Sequence, residues 1–231
     1  MESTMEQRTS KQVIEDVLMP VEGLNIIDVG CGDGALARML TRRGAHVTGV
    51  EVSPRALVRA QAIPPVGDET YIQGLAEDLP VKNRSADIVI FFNSFHHVDG
   101  AQWLVALKEA ARVLVHGGIL YVSEPLAEGP YFDLMKPAHD ETDVRRRALE
   151  ALHHAPDAGF VQEKVVSHVD TVTFRDFEAF HDRITAINPE TRTAFTEHEP
   201  EIRANFERLG QRSEEGWSFQ QPTRVFMFRR N

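Results

Sequence analysis

Cysteine is nearly absent from this chain, and its scarcity excludes a protein stabilised by internal disulfide bonds. A single cysteine, Cys31, cannot build an internal disulfide framework, so we expect a reducing, cytoplasmic setting. Long apolar runs are also missing. None approaches the roughly 18 residues of a membrane span, and residues 1–8 have neither a basic opening nor an apolar core. We therefore expect a soluble protein with no membrane span.

Basic residues are too few for a nucleic-acid partner. The chain has 25 Lys and Arg against 35 Asp and Glu, a net charge of -10, whereas phosphate binding needs a concentrated basic surface. The one candidate is the cluster at residues 145–147, Arg-Arg-Arg, which we interpret as the solvated face of a helix. The expected partner is therefore a small molecule, and the oligomeric state is left open.

Length and hydrophobic pattern predict one α/β domain over residues 1–231. Strand and helix patterns alternate, which favours parallel pairing through right-handed crossovers. We expect an N-terminal helical segment, a core in two stretches and a helical insertion, at residues 1–23, 24–173 with 218–231, and 174–217. The predicted strands are 24–29, 46–51, 70–73, 86–92, 119–123, 164–172 and 223–229, and the main helices are 34–43, 54–62, 100–115 and 140–155.

The most informative motif is residues 26–34, where an apolar run ends in three alternate glycines flanked by Asp28 and Asp33. Such a run is typical of a buried strand that turns sharply into a helix and exposes its backbone to a ligand. A dinucleotide fingerprint needs a glycine three residues after Gly32, where this chain has Ala35, and the two acids would repel a pyrophosphate. The acids suit a ligand with adenosine at one end and a cationic ammonium and sulfonium at the other, which is S-adenosylmethionine.

A third acid, Glu51, ends the next predicted strand, 17 positions after Gly34. A carboxylate there can accept both ribose hydroxyls of an adenosine, in a dinucleotide enzyme as much as in any other adenosine-binding protein. Three further segments follow in order: Ala-Glu-Asp-Leu-Pro at 76–80, an apolar strand and polar loop at 85–98, and a helix end, glycine turn and strand at 112–122.

Together these motifs resemble the class I S-adenosylmethionine-dependent methyltransferases, most closely the small-molecule branch that includes the ubiquinone/menaquinone C-methyltransferases. The resemblance covers residues 24–125. It implies a Rossmann-like, mostly parallel sheet of seven strands with helices on both faces and an antiparallel last strand. The helical insertion predicted between strands six and seven, at residues 174–217, is a departure from that family pattern. The resemblance also implies that Asp78 accepts a hydrogen bond from the exocyclic amine of adenine while a neighbouring backbone amide meets the ring. The implied cofactor-binding residues are Asp28, Gly30, Cys31, Gly32, Glu51, Val52, Glu77, Asp78, Leu79 and Asn93.

Methyl transfer from a sulfonium needs an aligned nucleophile and, for some acceptors, a base. His96 and His97 follow the fourth strand, and either can act as a general base or simply line the pocket. Glu124 and Tyr131 are candidates for substrate contact or for a polar rim. No metal is expected, because adjacent histidines, as at 96–97 and 153–154, should point in different directions.

The insertion carries Phe177 and Phe180 at helical spacing, either as a lid over an apolar acceptor or as an extra layer packed on the sheet edge. The predicted function is methylation of an oxygen, nitrogen or carbon of a small, partly apolar acceptor. The alternative is a non-catalytic protein that binds S-adenosylmethionine or S-adenosylhomocysteine for regulation or assembly. A dehydrogenase or epimerase is a third candidate that the glycine spacing disfavours.

Overall fold

The computed structural model describes residues 5–186 and 189–231. It contains nine strands in one sheet. They are β1 (Glu6–Gln7), β2 (Asn25–Val29), β3 (His46–Glu51), β4 (Thr70–Gln73), β5 (Ala86–Phe92), β6 (Leu114–Pro125), β7 (Phe160–Phe174), β8 (Gln211–Ser213) and β9 (Gly216–Arg230). The helices are α1 (Ser10–Leu18), α2 (Ala35–Thr41), α3 (Pro54–Ala62), α4 (Trp103–Val113), α5 (Pro130–Met135), α6 (Thr142–Ala151), α7 (Phe177–Thr185) and α8 (Pro189–Leu209).

The chain falls into two compact units, a core unit and a helical unit. The core unit contains residues 14–124, 146–166 and 224–231. Its strands lie in the order β7-β9-β6-β5-β2-β3-β4. The pairs β2–β3, β2–β5, β3–β4 and β5–β6 are parallel, as the alternation of strands and helices predicts.

Register places the ends of the parallel strands side by side in the core unit. Val29 of β2 is opposite both Val50 and Phe91, and Phe92 is opposite Ser123. The carboxyl ends of β2, β3, β5 and β6 therefore share one edge, which is where ligands bind in sheets of this kind. Helices α2, α3 and α4 connect these strands and bury apolar side chains such as Leu40 and Leu107 completely.

The helical unit contains residues up to Val13 and residues 125–145 and 167–223. Here β1 pairs with β7 in parallel, and β8 pairs with β9 in an antiparallel hairpin. The start of α1 is fixed by a reciprocal cap: the Thr9 N–H donates to Gln12 Oε1 at 2.8 Å, and the Gln12 N–H donates to Thr9 Oγ1 at 3.2 Å.

The mixed α/β fold with a mostly parallel sheet is confirmed, with two corrections of detail. The sheet has nine strands rather than seven, because β1 and β8 are added; at two and three residues each, they are too short to show a hydrophobic pattern. Residues 174–217 are also not wholly helical, since β8 and β9 turn back through residues 214–215. Residues 187 and 188 of the predicted insertion lie outside the described residues, as do residues 1–4 of the N-terminal segment. No helix within the described ranges has the length and apolarity to cross a membrane.

Candidate cofactor and proton-transfer site

The glycine loop after β2 is fixed to the end of β3 by its backbone. The N–H groups of Gly30 and Cys31 both donate to the Val50 carbonyl, at 2.8 and 3.1 Å. Gly32 has a φ of +58°, and a Cβ built there would meet nothing within 4 Å. The loop is therefore open at Gly32, where a ligand can approach the backbone closely.

The other two glycines of the loop are needed for packing. A Cβ at Gly30 would lie 2.5 Å from the Ser94 Cβ, and one at Gly34 would lie 2.5 Å from the Tyr71 ring. The Ser94 hydroxyl in turn donates to the Val29 carbonyl at 2.6 Å. Ser94 thus joins the end of β5 to the loop, a contact that sequence reasoning did not identify because no local pattern marks it.

Glu51 joins the glycine loop to the end of β3. Its Oε2 accepts the Gly32 N–H and its Oε1 accepts the Ser53 N–H, each at 2.8 Å. The side chain is 7% exposed. An ionised carboxylate has about four lone-pair sites, so both oxygens retain acceptor capacity toward further donors.

Asp28 is a buried acid at the end of β2, only 1% exposed. Over the described residues, no group donates a hydrogen bond to its Oδ2. Burial, and to a lesser degree the Glu51 carboxylate, raises the pKa of Asp28 to about 7. Burial, with the charges of Asp28 and Glu51, also raises the pKa of the Cys31 thiol, which favours its neutral form. A buried carboxyl with one unsatisfied oxygen, two residues before the first glycine of the loop, fits a ligand with a cationic group.

The segment after β4 carries the predicted adenine contacts. Asp78 is exposed and Glu77 is half-buried, whereas the Leu79 side chain is buried. The Leu79 N–H donates to Glu109 Oε2 at 3.0 Å, so this amide is already engaged within the protein. Val52, directly after Glu51, is 56% exposed, which makes it a suitable apolar surface for a flat ring.

Asn93 begins the loop after β5 with a φ of +54°, a conformation that few residues other than glycine adopt. Its N–H donates to the Ser123 carbonyl of β6 at 2.8 Å. Such backbone conformations occur often at functional sites, and this one lies at the shared carboxyl edge of the sheet.

His96 and Glu124 form a buried pair on neighbouring strand ends. His96 Nδ1 is hydrogen-bonded to Glu124 Oε2, and Glu124 Oε1 accepts the Phe95 N–H at 2.9 Å. The two side chains are 3% and 1% exposed. Both Glu124 oxygens therefore form hydrogen bonds with the 95–97 turn. Glu124 is buried, whereas the sequence predicts a residue on a polar rim. The sequence predicts both His96 and Glu124 as site residues, but no local pattern pairs two residues that are 28 positions apart.

The argument that adjacent histidines point in different directions is wrong for His96 and His97. Their ring centroids are 4.0 Å apart, because the two residues lie in a 3-10 turn, Phe95–His97, rather than in a strand. The arrangement of His96 and His97 therefore no longer supports the expectation that no metal binds, which stays a prediction.

The remaining predicted site residues, Tyr131, Phe177 and Phe180, lie in the helical unit. The half-buried Tyr131 ring stacks on Phe174, with centroids 6.2 Å apart. Phe177 and Phe180 are buried among other aromatic rings, with Phe206 at 5.4 Å from both. Their surroundings favour a packing role in this unit, and contact with an acceptor stays a prediction.

Residues 27–122 match the family described as methyltransferase domain. An uncharacterized methyltransferase of Synechocystis is 39% identical over 97 residues, which make up 42% of this chain and 45% of that protein. A ubiquinone biosynthesis O-methyltransferase of Azorhizobium caulinodans is 36% identical over 111 residues, or 46% of this chain and 42% of that protein. The chain thus spans less than half the length of these relatives.

One solved structure with a similar fold is an S-adenosylmethionine dependent methyltransferase from Mesorhizobium loti. It superposes with a TM-score of 0.55 over 95% of this chain and 96% of that chain, at 22% sequence identity. This similarity concerns the fold alone.

Proposed function

We propose that this chain, whose residues 27–122 belong to the methyltransferase domain family, transfers a methyl group from S-adenosylmethionine to an oxygen, nitrogen or carbon of a small, partly apolar acceptor. When bound, S-adenosylmethionine supplies a methyl group activated by a sulfonium. The chain's own residues bind and orient the two reactants and take up a proton where the acceptor releases one.

The observation that carries the proposal is the junction of Glu51 and the glycine loop. Glu51 holds the loop through the Gly32 N–H and keeps acceptor capacity for two ribose hydroxyls. Asp28, buried and short of a donor on Oδ2, supplies a carboxylate for the cationic methionine end. In this proposal Gly30, Gly32 and Cys31 line the methionine portion, while Val52, Glu77 and Asp78 face adenine.

His96, held by Glu124, is the proposed general base. A carboxylate can only accept hydrogen bonds, so Glu124 fixes the tautomer in which His96 Nδ1 carries the hydrogen. The lone pair of the neutral ring is then on Nε2. The same carboxylate stabilises the positive charge that develops when an imidazole takes a proton. Glu124 acts through His96 in this scheme and is a positioning residue.

The proposed acceptor class follows from a relative's name and from the aromatic residues of the helical unit. One relative is named for O-methylation in ubiquinone biosynthesis, which makes compounds with a hydroxyl group the first class to test. Tyr131, Phe177 and Phe180 are the proposed apolar contributors from the helical unit. Methyl transfer from labelled S-adenosylmethionine to a panel of hydroxyl compounds, amines and acidic carbon compounds would identify the acceptor, and cofactor binding with no turnover on any class would favour the regulatory alternative.

The cofactor proposal has a sharp test, because the core unit contains a second glutamate in a matching environment. Glu69 is also 7% exposed and also accepts two backbone amides, from Val66 and Gly67 at 2.8 and 2.9 Å. Glu51→Ala and Glu69→Ala should destabilise the fold similarly. Only Glu51→Ala should weaken S-adenosylhomocysteine binding in calorimetry, by roughly 2–3 kcal/mol for charge-assisted bonds to two hydroxyls. Equal affinities in the two folded variants would remove Glu51 from the site.

A further inference from the structure

The segment between β4 and β5 is anchored to helix α4 by an acid–base pair. The Leu79 N–H donates to Glu109 Oε2 at 3.0 Å, and the Leu79 carbonyl accepts from Arg112 Nη2 at 2.8 Å. Both backbone groups of one residue are thus held by two side chains one helical turn apart.

Arg112 makes four further polar contacts around the same segment. It bonds to both Glu109 oxygens, at 2.8 and 2.6 Å, to the Val81 carbonyl at 3.0 Å and to the Asn83 side-chain oxygen at 2.6 Å. A planar guanidinium can satisfy this set, whereas an ammonium cannot reproduce its fixed fork of donors. The Arg112 and Glu109 side chains are 30% and 18% exposed, so solvent competes only in part.

The beginning of the segment is fixed as well. The Gly74 N–H donates to the Glu51 carbonyl at 3.2 Å, and a Cβ at Gly74 would lie 2.5 Å from Pro80 Cδ. Residues 74–80 therefore form a closely folded loop, with one end on the proposed ribose acid and the other on α4. Asp78 lies inside this loop, and its N–H donates to the Leu75 carbonyl at 3.3 Å.

Charge supports the same arrangement. The hydrogen bond from Arg112, more than any other contribution, lowers the pKa of Glu109, so this acid is ionised at neutral pH. The hydrogen bond to Glu109 and, to a smaller extent, the Asp78 carboxylate raise the pKa of Arg112. The Arg112 cation thus attracts the Asp78 carboxylate as well as fixing the Leu79 backbone beside it.

We propose that Glu109 and Arg112 are positioning residues for adenine recognition: they hold the Leu79 backbone so that the Asp78 carboxylate can accept from the exocyclic amine. This inference rests on the proposed function. Neither residue touches the cofactor in this scheme, and their effect on binding passes through the loop.

The test is a ratio of affinities, because loss of stability alone does not change a ratio. S-adenosylhomocysteine carries the exocyclic amine, and S-inosylhomocysteine carries an oxygen in its place. The native protein should prefer the adenosyl ligand by about tenfold or more, the scale of a hydrogen bond to a charged acceptor. In Arg112→Met the preference for the adenosyl ligand should fall to about threefold or less. In Arg112→Lys it should lie between the values for the native protein and Arg112→Met. Glu109→Gln, which keeps an acceptor for the Leu79 N–H, should also reduce it.

Arg229→Met is the matched control. Arg229 also pairs with a glutamate, Glu163, and also donates to a backbone carbonyl, that of Gly117 at 2.7 Å, but it lies on β9. The Arg229→Met variant should prefer the adenosyl ligand over the inosyl ligand by the same factor as the native protein. An unchanged preference in Glu109→Gln and in each folded Arg112 variant, or a native preference near one, would overturn the positioning role. Failure of the native protein to bind either ligand would instead overturn the proposed function.

Discussion

Asp28 makes the stability of this protein depend on pH near neutrality. Its pKa in the folded state is about 7, against 3.8 for the unperturbed group, because the site is buried. Between these values the folded chain holds a proton that the unfolded chain has released. The free energy of unfolding therefore falls as pH rises from about 4 to about 7, and Asp28 contributes most to stability below that range.

Replacing this acid should separate stability from binding. Between pH 5 and pH 8, the free energy of unfolding should fall less in Asp28→Asn than in the native protein. The difference between the two falls should be on the order of 1–3 kcal/mol. The same change should weaken S-adenosylmethionine binding, because the cationic end loses its carboxylate. Urea titrations at both pH values and calorimetry at pH 8 measure the two effects. A parallel loss of stability in both proteins would mean that Asp28 is ionised in the folded state throughout.

The His96–Glu124 pair can be tested by a change of one atom. In Glu124→Gln the amide oxygen can still accept the Phe95 N–H, but the amide nitrogen then donates toward His96 Nδ1 and reverses the ring tautomer. We expect kcat for an acceptor that must lose a proton to fall by about 10²- to 10⁴-fold, with unchanged affinity for S-adenosylhomocysteine. His97→Asn measures the neighbouring ring in the same assay. A larger loss of kcat in His97→Asn than in Glu124→Gln would indicate that His97, not His96, is the general base.

At the scale of elements, the aromatic rings of the helical unit form its core. Phe180 is fully buried and lies within 6 Å of the rings of Phe174, Phe177, Phe195 and Phe206. Removing such a ring costs both transfer free energy and a cavity.

We accordingly expect Phe180→Ala to lower the free energy of unfolding by about 3–5 kcal/mol, as measured by chemical denaturation. Val105→Ala, at a position 41% exposed on α4, is the control and should change it by less than about 0.5 kcal/mol. A folded, equally stable Phe180→Ala protein with a raised KM for its acceptor would favour the proposed acceptor contact of Phe180 over a packing role.

The elements also show how far sequence reasoning reaches in this chain. The bounds of β3, β4 and β5 agree with the predicted 46–51, 70–73 and 86–92, because turn residues limit these short runs clearly. β6 begins at Leu114, five residues before its predicted start, because the glycines at 117–118 lie within the strand although a glycine pair is typical of a turn.

The candidate site divides in the same way. Glu51 and the glycine loop each belong to a local motif at the end of a strand, and both motifs can be recognised from the sequence. The pairing of His96 with Glu124 spans 28 positions and depends on the register of Phe92 with Ser123. The anchoring of Leu79 by Glu109 and Arg112 likewise spans about 30 positions. Only the tertiary structure brings these groups together.

At the scale of the whole molecule, charge separates the adenosine ligands that this fold can bind. The net charge is -10, and two of the acids that contribute to it, Asp28 and Glu51, are buried in the proposed site. A dinucleotide would bring its pyrophosphate charge against them, whereas S-adenosylhomocysteine brings an ammonium.

Ligand-induced stabilisation of the entire fold makes this difference measurable. At 100 times its Kd, a ligand that binds only the folded state adds about 2.7 kcal/mol to the free energy of unfolding. For a chain of this length that corresponds to a rise of about 5–10 °C in the thermal midpoint. We expect this rise with S-adenosylhomocysteine and none with NADH at the same concentration in physiological salt. Glu51→Ala should lose the rise while Glu69→Ala keeps it. A comparable rise with NADH would show that the acids do not exclude a pyrophosphate, and the dehydrogenase alternative would return.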